Sequence, residues 1–217
     1  MFDVLCYGDS NTWGFNPKDG SRFDAQTRWP GVMQIQLGSM YKVIENGING
    51  RTTVFDNPFS NDYQNGIKGL GYALNASKPL DAVIIMLGTN DLNYTDAEGV
   101  YKGLHRIINF LINSSSFFKD TTLGSSPIWK DNPKILLVSP IRRERKNQTN
   151  QIIEDKRNEE SNLFSIHLKR LADELNVSFL DAANIASPSS LDGLHMDEEN
   201  HEILGLAIAD KIKEIFE

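Results

Sequence analysis

The chain reads as an α/β protein built on a parallel sheet of five short strands. Three observations carry that expectation. Apolar runs and amphipathic stretches alternate along all 217 residues. The runs Ala82-Val83-Ile84-Ile85-Met86-Leu87 and Ile135-Leu136-Leu137-Val138 lack polar alternation, as parallel strands covered on both faces do. Polar clusters of small residues follow the runs, at the carboxyl strand ends where open α/β sheets bind their ligands.

In chain order, the first strand is expected over 2–7, through Val4-Leu5-Cys6-Tyr7, and a helical pattern follows over 30–37. A strand over 41–45, a helix over 64–75 and the strand 82–87 come next. Thr95-Asp96-Ala97-Glu98 offers a cap and first-turn acids to a helix over 96–112. A strand over 135–139 precedes a helical segment over 150–175, whose polar opening places its first turns in solvent. After a strand over 177–180, a helix over 198–216 carries Ile203, Leu204, Ala207, Ile208, Lys211, Ile212 and Ile215 near a 3.6-residue period.

No repeat is visible, and one domain over 1–217 is expected. The least regular segment is 113–133, with Ser114-Ser115-Ser116, Gly124-Ser125-Ser126-Pro127 and Asp131-Asn132-Pro133. Its Phe117, Phe118 and Trp129 mark a loop that covers a functional rim or meets a neighbouring subunit. Arg142-Arg143-Glu144-Arg145-Lys146 reads as a solvated basic loop in an acidic chain.

Composition narrows the function. Hydrophobic residues make up 40% and charged residues 24%, enough for a sizeable core. A net charge of -7 argues against nucleic acid as a partner. The single cysteine, Cys6, forms no internal disulfide and builds no zinc cluster; it reads as a small buried strand residue. The start lacks the basic region and the long apolar run of a signal peptide. No stretch approaches the roughly 18 apolar residues of a membrane span. A cytoplasmic protein with no membrane partner is expected.

Chemistry concentrates at the strand ends. Strand one runs into Gly8-Asp9-Ser10-Asn11, strand two into Asn46-Gly47-Ile48-Asn49-Gly50, and strand three into Gly88-Thr89-Asn90-Asp91. The loop after strand five leads to Asp192-Gly193-Leu194-His195. A serine is a poor nucleophile at neutral pH and needs an adjacent base, itself oriented by a third group. Ser10 is therefore the expected nucleophile, His195 its base and Asp192 the group that fixes the imidazole tautomer. A tetrahedral oxyanion needs preorganised donors, and the Ser10 amide, the Gly50 amide and the Asn90 side chain are the candidates. Asp9 is expected to brace its loop rather than react. His105, His167 and His201 fall in helical patterns and read as surface or packing residues.

These blocks, in this order, resemble the SGNH (GDSL-type) hydrolases, a family of serine esterases. The strings Gly8-Asp9-Ser10-Asn11-Thr12-Trp13-Gly14 and Asn49-Gly50-Arg51-Thr52-Thr53 look like its arylesterase and acyltransferase branch, as does the strand-three string ending in Gly88-Thr89-Asn90-Asp91. The resemblance implies a three-layer α/β/α sandwich (flavodoxin-like), the Ser10–His195–Asp192 triad, and an oxyanion hole of Ser10, Gly50 and Asn90. It also implies no metal or organic cofactor, short-chain ester substrates with some acyl transfer, and homo-oligomers.

One departure stands out. Asn11 occupies a position often apolar in that family; beside Ser10, it is expected to contact substrate and make the pocket entrance more polar. Trp13 is expected to contact substrate too. With Phe15, Trp29 and Trp129 it would line an acyl pocket or a sugar platform, or else serve core or subunit packing. Three other functions stay open on the sequence: an esterase for acetylated carbohydrates, a metal-dependent phosphoesterase using Asp9, Asn90, Asp91 and His195, and a non-catalytic binding module.

Overall fold

The strands stack in the order β2-β1-β3-β4-β5, all parallel. They are β1 (Phe2–Gly8), β2 (Tyr41–Gly47), β3 (Leu80–Met86), β4 (Trp129–Ser139) and β5 (Ser178–Asp181). The helices are α1 (Ser10–Trp13), α2 (Trp29–Leu37), α3 (Gly66–Ser77), α4 (Ala97–Phe117), α5 (Gln151–Asn162), α6 (Phe164–Leu175) and α7 (Glu198–Phe216). This computed structural model describes residues 1–59, 62–117, 127–146 and 150–217, with the side chains of 115–117 left out.

The unalternating apolar runs have a direct structural cause. Successive strand side chains point to opposite faces, and each face here has its own core. Leu5, Tyr7, Val83, Ile85, Ile135 and Leu137 pack with Leu70 and Leu74 of α3, Val100 and Leu104 of α4 and Leu168 of α6. Val4, Cys6, Ala82, Ile84, Leu136 and Val138 pack with Trp29 and Met33 of α2 and with Leu204 and Ile208 of α7. The result is the expected three-layer α/β/α fold, with a sheet that is wet only at its edges and ends. No helix among the described residues is long and apolar enough to cross a membrane.

Three expectations need correction. The segment 150–175 is two helices, broken where the Leu163 amide bonds back to Glu160 in a tightened turn (3.0 Å). The apolar face resumes only at Phe164, so α5 adds little to the core and lies instead against residues 90–93. The 113–133 segment is structured at both ends. Helix α4 continues to Phe117, and β4 opens at Trp129, which pairs with Leu80 before a register shift absorbs the residues up to Lys134. Trp129 is 4% exposed and its indole N–H donates to the buried Ser114 hydroxyl at 2.7 Å, so it belongs to the core and not to a subunit contact. Phe118 and the centre of that segment lie outside the described residues. The third correction is at Arg143, which is buried and not solvated.

Candidate active site

The end of β1 is shaped by close approach. A Cβ at Gly8 would lie 2.0 Å from the Thr12 hydroxyl and 2.9 Å from the Met86 carbonyl. The chain then turns straight into α1, with Asp9 as its N-cap: Asp9 Oδ1 accepts the Asn11 amide at 3.0 Å. Ser10, the first residue of α1, is 7% exposed. Its hydroxyl lies 2.9 Å from His195 Nε2, while His195 Nδ1 lies 2.6 Å from Asp192 Oδ2. The other oxygen of Asp192 accepts the Leu194 and His195 amides at 2.9 and 3.0 Å. Partial burial pushes the Asp192 carboxyl up, but the bonds from the His195 ring and these amides outweigh it and hold the carboxyl below its usual range. The three groups that the sequence singled out are thus in line, 185 positions apart in the chain at the widest.

Two contacts hold the His195 loop in place, and neither was visible in the sequence. Gly193 has φ +63, and a Cβ there would meet the Glu144 carbonyl at 2.3 Å; the Glu144 amide in turn donates to the Gly193 carbonyl at 2.8 Å. Asn11 forms the second contact. Its amide donates to the Leu194 carbonyl at 3.2 Å and its carbonyl accepts the Met196 amide at 3.0 Å. Asn11 is 3% exposed, so it does not make the pocket entrance polar; both ends of its side chain tie α1 to the histidine loop. An apolar residue cannot make these bonds.

The donor side of the site is equally ordered. Gly50 has φ +76 and sits in a turn closed by the Arg51 amide on the Ile48 carbonyl (3.1 Å), with Gln64 filling the space a side chain would need. Among the described residues, neither the Ser10 nor the Gly50 amide donates a hydrogen bond. The Asn90 side-chain amide donates to the Arg51 carbonyl at 3.1 Å and lies 3.5 Å from Asp9 Oδ2. Arg51 joins the ends of β1 and β2. Its guanidinium donates to the Gly8 carbonyl at 2.9 Å and to Asn46, and it covers the Tyr7 ring at 3.9 Å. Asp91 accepts both the amide and the hydroxyl of Thr53, linking the Gly50 and Asn90 loops. Burial pushes the Asp9 carboxyl up to about 6 and that of Asp91 up to about 7, against the hydrogen bonds each accepts.

Arg143 clamps this side from below. It is 4% exposed, donates to Glu154 Oε2 at 2.7 Å and to the Thr89 carbonyl at 3.3 Å, and so fixes the residue before Asn90 to α5. A run of five mixed charges in a loop carries no sign that one is buried; its partner Glu154 belongs to a helix placed only by tertiary packing.

The aromatic residues separate. Trp29 and Trp129 are core. Trp13 is half-buried beneath the Arg22 guanidinium, 5.2 Å from its ring centre, and Phe15 lies against His195 with centroids 4.2 Å apart. His201 is fully buried, accepts the Trp29 amide at 3.3 Å, and is pushed down to about 4 by burial. Among the described residues, no three His, Cys, Asp or Glu side chains stand where they could hold a metal ion.

Ester chemistry requires a hydroxyl that can lose its proton, facing spare hydrogen-bond donors. The carboxyl edge of this sheet presents such a hydroxyl on Ser10, within hydrogen-bond reach of His195, and the class of protein that fits it is a carboxylic-ester hydrolase. Comparison gives the family. Residues 6–203 match the GDSL-like Lipase/Acylhydrolase family, and the chain belongs to it as an SGNH-type hydrolase. Among solved structures it is similar to Est24, a carbohydrate acetylesterase from Sinorhizobium meliloti, at 33% identity over 100% of both chains with a TM-score of 0.89. It is also similar to the M. smegmatis aryl esterase, at 32% identity over 99% of this chain and 100% of that one, TM-score 0.87. No curated protein matches the chain.

Proposed function

We propose that this hydrolase cleaves small and aryl esters of short acyl groups, acetyl foremost, through an acyl-enzyme on Ser10. The observation that carries the proposal is the continuous line from Ser10 Oγ through His195 to Asp192, at 2.9 and 2.6 Å. Ser10 Oγ attacks the ester carbonyl carbon as its proton passes to His195 Nε2. The carbonyl electron pair moves to oxygen, and this oxyanion takes hydrogen bonds from the Ser10 and Gly50 amides and from Asn90. Collapse expels the alcohol, which takes the proton from His195 Nε2 and leaves the acylated serine. Water then attacks in the same manner, giving up a proton to His195, and the acid leaves as Ser10 regains its hydrogen. An alcohol in place of that water gives acyl transfer. Asp192, held ionised, stabilises the imidazolium in both halves.

Two features support a small acyl group. Ser10 is only 7% exposed, and Phe15 lies beside the base. The similarity to Est24, a carbohydrate acetylesterase, favours acetylated carbohydrates as a second substrate class, with half-buried Trp13 as a candidate surface for the sugar. The test is a series of p-nitrophenyl esters from acetate to octanoate beside an acetylated xylose. Acetate, or the acetylated sugar, is expected to turn over fastest; faster octanoate hydrolysis would overturn the small-acyl reading. Self-association is part of the proposal. Phe59 and Tyr72 stand 96% and 82% exposed, apolar surface that a second copy would cover. A monomeric mass by light scattering at micromolar concentration contradicts it.

A further inference from the structure

We propose that Phe15 is a positioning residue for His195, its ring face holding the imidazole in line with Ser10 and stabilising the imidazolium that forms when Ser10 attacks. The inference rests on the serine-esterase reading and deepens it. The two ring centroids are 4.2 Å apart with planes 32° from parallel, so the phenyl π-face covers one side of the imidazole. The ring edge is already fixed by Asp192 at Nδ1 and Ser10 at Nε2. Those two bonds reach only the ring edge, whereas a stacked face contacts its breadth and adds restraint against tilting out of the plane. An aromatic face also attracts a cation, and the imidazole becomes one only as the reaction proceeds. A contact that strengthens in the transition state raises kcat, whereas one equally strong in the ground state changes only KM.

Phe15 is itself held. It forms a bridge with Arg22, whose guanidinium donates to the Trp13 carbonyl at 2.7 Å and to Glu45 at 3.0 Å. The charged and titratable groups around His195 are few. Asp192 comes from its own loop and Asp9 from the cap of α1, with His201 from α7, Glu144 through the loop against Gly193, and Arg22 beyond Phe15. Asp9 titrates near neutral pH, so a pH–rate profile alone would mix its protonation with that of the base.

The experiment therefore follows the histidine directly. The ring Cε1–H resonance of His195 is titrated by NMR in wild type, Phe15→Leu and Phe15→Trp, beside kcat and KM for p-nitrophenyl acetate. In Phe15→Leu the protonation midpoint is expected to move to lower pH by about 0.3 to 1 unit, and kcat to fall about 2- to 10-fold with KM little changed. Phe15→Trp, which keeps a π-face, is expected to restore both. A midpoint that moves to higher pH would make Phe15 a mere apolar cover, and a rise in KM with kcat intact would make it a pocket wall; either result overturns the proposal, as does an unmoved midpoint. Phe15 is half-buried in a loop, and thermal unfolding of both variants verifies the fold. The resonance titrates whether or not the protein cleaves esters, so failure of the esterase reading, seen in Ser10→Ala rates, is separable from failure here.

Discussion

Asn90 and Asn11 are the same residue type with different jobs, and their partners separate them. Asn90 presents an amide already aimed by the Arg51 carbonyl, with no charge to compete for the proton in transit. Asn90→Ala is expected to lower kcat about 100- to 1000-fold with KM nearly unchanged, because the lost bond matters mainly in the transition state; steady-state kinetics on p-nitrophenyl acetate checks this. Asn11 is buried, and both ends of its side chain bond the histidine loop. Asn11→Leu removes the acceptor of the Met196 amide and is expected to lower stability by about 1 to 3 kcal/mol, read by urea unfolding. At this scale the sequence was informative where residue type and chain position coincided: Ser10, His195 and Asp192, each read from its own loop, come together in one line of hydrogen bonds. It was uninformative where the partner is distant. Nothing beside Asn11 announces Leu194, and nothing beside Phe15 announces His195.

Among the elements, α5 shows why a polar helix is kept. Its face contributes charge and not apolar area: Glu154 accepts Arg143 at 2.7 Å and Arg157 at 2.7 Å, and Arg157 reaches the Leu92 carbonyl at 3.1 Å. These bonds hold the 88–93 loop, and with it Asn90, against the sheet. Removing one partner of a buried ion pair leaves the other uncompensated, at a cost of about 3 to 5 kcal/mol, whereas replacing both with apolar groups is often nearly neutral. Glu154→Ala is therefore expected to lower stability by that amount, and Arg143→Met combined with Glu154→Leu to recover most of it. Chemical denaturation of the single and double variants is the check; a double variant no more stable than Glu154→Ala would contradict this account of the pair. The helical pattern over 150–175 showed helix correctly but not the break at Leu163, whose amide bonds back to Glu160.

At the scale of the whole molecule, the two-faced core follows from apolar runs without alternation, and it was legible for that reason. The charges buried near its carboxyl edge were not, and they set a pH dependence. Burial raises Asp9 from 3.8 to about 6, so between those values the folded state holds a proton the unfolded state has lost, and stability falls as pH rises. Asp91, raised to about 7, acts in the same direction. His201, lowered from 6.5 to about 4, acts oppositely: the unfolded state gains a proton first, and stability falls as pH drops through that range. Asp9→Asn keeps an acceptor for the Asn11 amide while removing the titration. Its stability relative to wild type is expected to grow by about 2 kcal/mol from pH 4 to pH 7, measured by urea unfolding across that range. A constant difference would mean that Asp9 stays ionised throughout.

The central claim is that Ser10 is the nucleophile of an ester hydrolase. Hydrolysis of p-nitrophenyl acetate by wild type and by Ser10→Ala, both with a chelator present, tests it most directly. Robust wild-type turnover that falls at least about 1000-fold in Ser10→Ala is the expected result. Equal rates in the two proteins would contradict it, and the roles given to His195, Asp192 and the oxyanion donors would fall with Ser10.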